Sequence, residues 1–146
     1  PIFKSANMSL DINLMCRIVA NLAQILKGND IEIIETHHNR KIDSPSGTAM
    51  LLADSINKAL DNSMSYEFNR HDKHEKRDKK EIGISSVRGG NIVGEHSVIF
   101  FSENESFEIK HTAYSRSLFA EGAVRAAKFM TNKDIRSGIY DMNDIK

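Results

Sequence analysis

The chain has 146 residues, 40% of them hydrophobic and 27% charged, and its 20 basic side chains balance 20 acidic ones. That length suits one domain with a real core, and the neutral balance gives no reason to expect nucleic acid or an anionic membrane surface as a partner. A lone cysteine, Cys16, excludes an intrachain disulfide, and no apolar run approaches the roughly 18 residues that span a bilayer, so no membrane partner and a cytoplasmic location are the expectation.

The chain opens at Pro1 with neither a methionine nor a signal-peptide pattern. It reads at once as structured sequence, and the expectation is a domain excised from a larger protein. Residues 1–9 form an extended lead-in, with Asn7 or Ser9 placed to cap a helix. From Leu10 to Lys27 apolar residues such as Met15, Val19, Leu22 and Leu26 recur at helical spacing, and Gly28 stops the helix. Cys16 lies inside that pattern and reads as a small buried hydrophobe. Ile31 to Thr36 is a β-branched run that predicts a strand, with His37 and His38 at its end.

Residues 39–46 are a loop, because Pro45 drives Ser44 out of helical geometry. Thr48 to Leu60 is a second helix, with Ala49, Leu52 and Ile56 on one side, and Tyr66–Phe68 is a short strand. Arg70 to Glu81 interleaves basic and acidic side chains with almost no apolar anchor, which predicts a solvated, mobile loop. Ile82–Val87 is a strand, Arg88–Asn91 a glycine turn, and Ile92–Phe101 a strand returning antiparallel. Phe107–Tyr114 makes a third hairpin-linked strand, and Ser117–Met130 a final helix with an apolar stripe of Leu118, Phe119, Ala123, Ala126, Ala127 and Met130. The tail at 138–142 docks back.

This order implies an α+β fold: a mixed β-sheet with helices on one face. Val93, Val98, Ile99, Phe100 and Phe101 cannot all point into one layer of helices, so the other face is expected to serve oligomerisation.

The chemistry concentrates between Glu35 and Met50. Ser46, Gly47 and Thr48 lie where a helix begins, and unpaired N–H groups there suit a carboxylate or phosphate. Plain capping by Ser46 explains the same residues. The adjacent His37 and His38 are suited to proton exchange near neutral pH, or form an ordinary surface or buried pair. Lys41 could bind a carboxylate or donate a proton, or be a solvated loop lysine. A metal site is not expected: His71 and His74 lie in the charged loop, and no ligand spacing follows the histidine pair. Each feature alone has a bland explanation; together with Asp43 they tilt toward a site for a small dianionic substrate.

The string Ile31-Glu-Ile-Ile-Glu-Thr-His-His-Asn-Arg-Lys-Ile-Asp-Ser-Pro-Ser-Gly-Thr-Ala49 closely resembles the signature of the 4-hydroxy-tetrahydrodipicolinate reductase (dihydrodipicolinate reductase) family. The similarity continues through Ile82–His96, His111–Arg125 and Gly138–Met142, nearly the whole chain. The resemblance implies an oxidoreductase of lysine and diaminopimelate biosynthesis using NADPH or NADH. It implies that residues 1–146 are its C-terminal substrate-binding and tetramerisation domain, with the N-terminal Rossmann domain absent from this chain. It implies a dicarboxylate substrate and a homotetramer joined through the sheets.

Carried over position by position, the resemblance makes His37 the catalytic proton donor or acceptor and Lys41 the second catalytic group. It gives His38 a substrate contact and has Ser46, Gly47 and Thr48 hold a substrate carboxylate. Ser5, Ala6, Asn7 and Met8 match a hinge whose backbone touches the nicotinamide end of the cofactor, and Arg116 and Phe119 match positions that approach the cofactor. Met8 stands where the family often has an aromatic residue, Ser44 where it has alanine, and segment 69–81 is unusually charged. Cofactor preference is not legible in this stretch of sequence. The competing reading is a non-catalytic oligomerisation or small-anion-binding module of the same fold.

Overall fold

In the computed structural model, which describes residues 1–145, the apolar periodicity after Ser9 becomes helix α1 (Leu10–Ile25). The Ser9 hydroxyl accepts from the Ile12 N–H at 3.2 Å and satisfies one of the donors a helix start leaves open. Gly28, at φ +101°, takes a backbone conformation that glycine alone adopts freely and turns the chain into the first long strand.

Two short strands, β1 (Ile2–Phe3) and β7 (Ile139–Tyr140), pair in parallel. The docking of the tail is thus made by hydrogen bonds to the lead-in. It is reinforced by Phe129, whose ring meets Phe3 and Tyr140 edge-on at 6.5 and 5.6 Å.

The main sheet contains β2 (Asp30–His37), β3 (Ser65–Glu67), β4 (Glu81–Arg88), β5 (Gly94–Phe101) and β6 (Ser106–Ala113), in the order β3-β4-β2-β5-β6. Helix α2 (Gly47–Ala59) crosses from β2 to the parallel β3 and β4. The expected hairpin of three consecutive strands is corrected by this order. β5 returns antiparallel to β2, not to β4, and β2 lies between them. The β-branched run of β2 is suited to that central place, flanked on both edges. The connection from β4 to β5 therefore crosses over the end of β2, where the Gly89 N–H donates to the His37 carbonyl at 2.9 Å and the Asn39 N–H to the Gly90 carbonyl at 3.2 Å.

Alternation along the strands divides the sheet. Ile31 and Ile33 of β2, Ile82 and Ile84 of β4, and Val98 and Phe100 of β5 face α1 and α2 and are buried with Ile12, Val19, Leu52 and Ile56. Each such side chain is worth about 1.5–3 kcal/mol when fully buried. On the opposite face Ile34, Val87 and Phe101 remain 39%, 48% and 39% exposed. The mixed sheet with helices on one face is as expected.

Two local expectations change. Helix α3 (Ser117–Met130) has the expected bounds, but only Gly122 and Ala126 are buried on it. The backbone of Met8 packs so closely that a Cβ at Gly122 would lie 1.7 Å from its carbonyl oxygen, so small residues, and only Ala126 of the expected stripe, are buried. The charged stretch after Glu67 is exposed yet tethered rather than free. Arg77 reaches Asp30 and Glu32 at 3.1 and 3.0 Å and the carbonyls of Ile31 and Glu81 at 2.7 and 2.6 Å. Arg70 pairs with Glu81, and Lys73 with Glu67. Charge supplies the anchor that apolar residues do not.

Candidate functional site

The inward face of β2 carries Ile31 and Ile33 into the core and then, with the same period of two, Glu35 and His37. Glu35 has no exposed surface. Four donors converge on its carboxylate: Arg88 Nη1 and Nη2 at 2.8 and 2.7 Å, the Ser46 N–H at 3.1 Å and His37 Nδ1 at 2.5 Å. Burial pushes this carboxyl up, but the hydrogen bonds from Arg88, Ser86, His37 and the Ser46 backbone outweigh it and hold it at about 2. An ionised carboxylate only accepts, so His37 Nδ1 carries the hydrogen and Nε2 is the nitrogen left free. That atom lies against Gly94, where a Cβ would come within 3.0 Å of it.

Ser46 caps α2, its hydroxyl accepting from the Ala49 N–H at 3.1 Å. The same oxygen lies 2.9 Å from Nε2 of the buried His96. Burial, followed by repulsion from His37, lowers the His96 pKa to about 4, so its ring is neutral at physiological pH. The rings of His37 and His96 meet edge-on at 5.1 Å. At Gly47 the space above the backbone is open, with no atom within 4 Å of where a Cβ would stand. The first turn of α2 is thus free to receive an anion.

These groups open onto a cleft of about 260 Å³. It is lined by His37, His38 and Lys41, by Ser46, Gly47 and Thr48 at the start of α2, and by Arg116 and Phe119, with Ala6 and Val93 completing the lining. His38 follows the strand end, where its Nε2 lies 3.2 Å from Arg116 Nη2. Desolvation, then the nearby cations Arg40 and Arg116, push its pKa below the ordinary histidine value. The neutral ring accepts from Arg116 through Nε2, which leaves a hydrogen on Nδ1, and Nδ1 has no partner among the described residues. Lys41 is held by both carboxylate oxygens of Asp43 at 2.8 Å. The cleft combines Arg116, Lys41 with its Asp43 partner, a helix N-terminus and the neutral imidazole of His38, while the buried Glu35 behind it is matched by Arg88. Its field favours a ligand carrying carboxylates.

Of the residues singled out in the sequence, His37, His38, Lys41, Ser46, Gly47, Thr48, Ala6, Arg116 and Phe119 all line this cleft. Ser5, Asn7 and Met8 do not. Ser5 Oγ donates to the Asn7 carbonyl at 2.7 Å, Asn7 Nδ2 donates to Thr48 Oγ1 at 3.0 Å, and Met8 packs on α3, so Asn7 alone of the three touches a lining residue through its side-chain hydrogen bond. Phe119 is half-exposed at the cleft, and the Arg116 guanidinium has, among the described residues, no acidic partner. Among the described residues no three His, Cys, Asp or Glu side chains converge as a metal-ligand set.

Sequence reasoning missed Glu35, Arg88 and His96. The signal for Glu35 was present: two positions before His37 on a strand, it shares that histidine's face, so an acid there had to be buried and matched. Arg88 and His96 come from strands whose pairing with β2 was not read. In the observed register Arg88 stands beside His37, and His96 beside Glu35.

The sequence profile of the family described as "Dihydrodipicolinate reductase, C-terminus" matches residues 11–145. A 4-hydroxy-tetrahydrodipicolinate reductase of Brachyspira hyodysenteriae is 54% identical over 145 residues, covering 99% of this chain and 62% of the relative. The enzyme of the same name from Caldanaerobacter subterraneus is 51% identical over 145 residues, covering 99% of this chain and 57% of its own. The chain thus spans less than two thirds of the length of these relatives. A dipicolinate-bound dihydrodipicolinate reductase from Paenisporosarcina sp. TG-14 shares the fold with a TM-score of 0.74 at 24% identity, covering 97% of this chain and 54% of that one.

Proposed function

The chain belongs to the dihydrodipicolinate reductase C-terminal family, and from that membership we propose that it is the substrate-binding and proton-supplying part of an NAD(P)H-dependent reductase. The reaction is conversion of 4-hydroxy-tetrahydrodipicolinate to tetrahydrodipicolinate, a step of lysine and diaminopimelate biosynthesis in the cytoplasm. A Rossmann domain elsewhere in the full-length protein holds most of the dinucleotide, which is consistent with the share of the relatives' length that this chain spans.

The observation that carries this reading is the meeting of His37 Nε2, Lys41, Arg116 and the open first turn of α2 in one cleft. A dicarboxylate places one carboxylate on Ser46, Gly47 and Thr48, where backbone N–H groups and hydroxyls donate to it. His38 and Arg116, held together at 3.2 Å, line the same cleft for the rest of the ring. His37 exchanges a proton through Nε2, and Lys41 leaves Asp43 to face the substrate and assist protonation. Ala6, Arg116 and Phe119 are the residues of this chain that would contact a bound NAD(P)H, which would supply the hydride. That a related fold binds dipicolinate agrees with this choice of ligand class.

The uncovered sheet face, with Ile34, Val87 and Phe101 in the open, is the surface we assign to a homotetramer. Sedimentation of the full-length protein checks it: Phe101→Asp should yield smaller species than wild type.

The activity is tested by following NAD(P)H oxidation by the full-length protein with freshly generated substrate, alongside calorimetric titration with pyridine-2,6-dicarboxylate. Turnover supports the reading. Dicarboxylate binding with no reduction would return the chain to an anion-binding module.

A further inference from the structure

We propose that Glu35 and Arg88 are a positioning pair that presents His37 Nε2 to the cleft and holds the Lys41 loop in step with the anion-binding end of α2. This rests on the reductase reading for its consequence, though the arrangement itself concerns only how atoms are held.

The geometry is specific. One carboxylate joins three separate parts of the site: the imidazole of His37 through Nδ1, the N-cap of α2 through the Ser46 N–H, and β4 through both Arg88 nitrogens. Arg88 adds a fourth, donating from Nη2 to the Asp43 carbonyl at 2.7 Å. Asp43 in turn clamps Lys41. The two proton-exchanging groups and the carboxylate-binding turn are thus referred to a single buried point.

Two features set this apart from an ordinary ion pair. A buried pair is replaceable by apolar residues with little loss of stability, so charge at this depth is weak evidence for a stabilising role. And the donors from Arg88, Ser46 and His37 fill both carboxylate oxygens, which leaves the His37 ring one orientation and one tautomer. An outer carboxylate that fixes an imidazole tautomer is worth far more to rate than to binding, because the wrong tautomer removes the reacting proton without altering the cleft.

The test uses the full-length protein with ¹⁵N-labelled histidine. Long-range proton–nitrogen spectra should show His37 in the Nδ1–H tautomer, and Glu35→Gln should give a mixture or the Nε2–H form. In the same variant kcat should fall by about 10- to 100-fold with KM changed by less than about threefold. Arg88→Lys, which keeps the charge and loses the fork, should give a smaller fall in the same direction.

An Nε2–H tautomer in the wild type overturns the proposal. So does an unchanged tautomer with turnover within about twofold of wild type in Glu35→Gln. If Glu35→Gln does not fold, the wild-type spectrum and Arg88→Lys decide. If the wild type reduces no substrate, the reductase reading falls, and the tautomer comparison still decides the positioning.

Discussion

Glu35 and His96 stand opposite one another in the β2–β5 pairing and grip Ser46 between them. Glu35 Oε1 accepts from the Ser46 N–H at 3.1 Å, and His96 Nε2 lies 2.9 Å from Ser46 Oγ. Ser46→Ala removes the cap of α2 and strands His96 without a partner. It should lower stability by about 2–3 kcal/mol and weaken pyridine-2,6-dicarboxylate binding. Urea unfolding and calorimetry check the two effects, and a variant as stable as wild type would show that the hydroxyl is not structural.

Acid should lower the stability of the fold in two stages. His96 takes a proton at about 6.5 in the unfolded chain but only near 4 when folded. The unfolded state therefore binds more protons in that interval, and stability falls as pH drops from 6.5 to 4, by on the order of 3 kcal/mol. Glu35 titrates at 4.5 unfolded and about 2 folded. Its contribution is complete above 4.5 and is lost as pH falls through 2. Urea midpoints measured against pH should show both stages, and His96→Gln should flatten the upper one alone.

Gly94→Ala places a methyl group 3.0 Å from His37 Nε2 and 3.4 Å from its Cδ2. The ring must shift, and overpacking of this size costs about 1–3 kcal/mol. Turnover should drop at least tenfold, since the crowded atom is the one assigned to proton exchange. Wild-type turnover in this variant would mean that Nε2 is not the working nitrogen.

His37→Ala and Lys41→Ala, made in the full-length protein, should each reduce kcat by about a hundredfold or more while shifting the urea midpoint little. Steady-state rates set beside unfolding curves decide this, and near-normal turnover in both would remove these residues from the mechanism.

Arg77→Ala releases Asp30 and Glu32 and leaves the carbonyls of Ile31 and Glu81 without its guanidinium. A loss of about 1–3 kcal/mol is expected, with kcat unchanged, because the tether lies at the opposite end of β2 from the cleft. A fall in kcat would connect the charged loop to catalysis.

Element types were largely legible because each long element carries its own period: the spacing of Met15, Val19 and Leu22, or the alternation in Ile82–Val87, needs no partner to be read. Strand order was not, because nothing within Ile92–Phe101 tells whether it lies beside β4 or beside β2. That single ambiguity hid the site's second half. Glu35 carries meaning only once β4 brings Arg88 alongside His37 and β5 brings His96 opposite. The residues singled out on one continuous stretch, His37 to Thr48, line one cleft; the partners brought in by strand pairing, Arg88 and His96, could not be read from it. Helix α3 misled for a related reason, since the spacing of Phe119, Ala123 and Ala127 marks a face without saying what covers it.

The central position of β2 has a consequence for timing. Its backbone is paired on both edges over seven consecutive residues to each neighbour, so its amides should exchange with solvent only when the whole sheet opens. His37 is the last residue of that strand, whereas Lys41 and Arg116 stand on the connections outside it. His37 should therefore keep its place on the slowest clock in the molecule, while the side chains of Lys41 and Arg116 are held by Asp43 and His38.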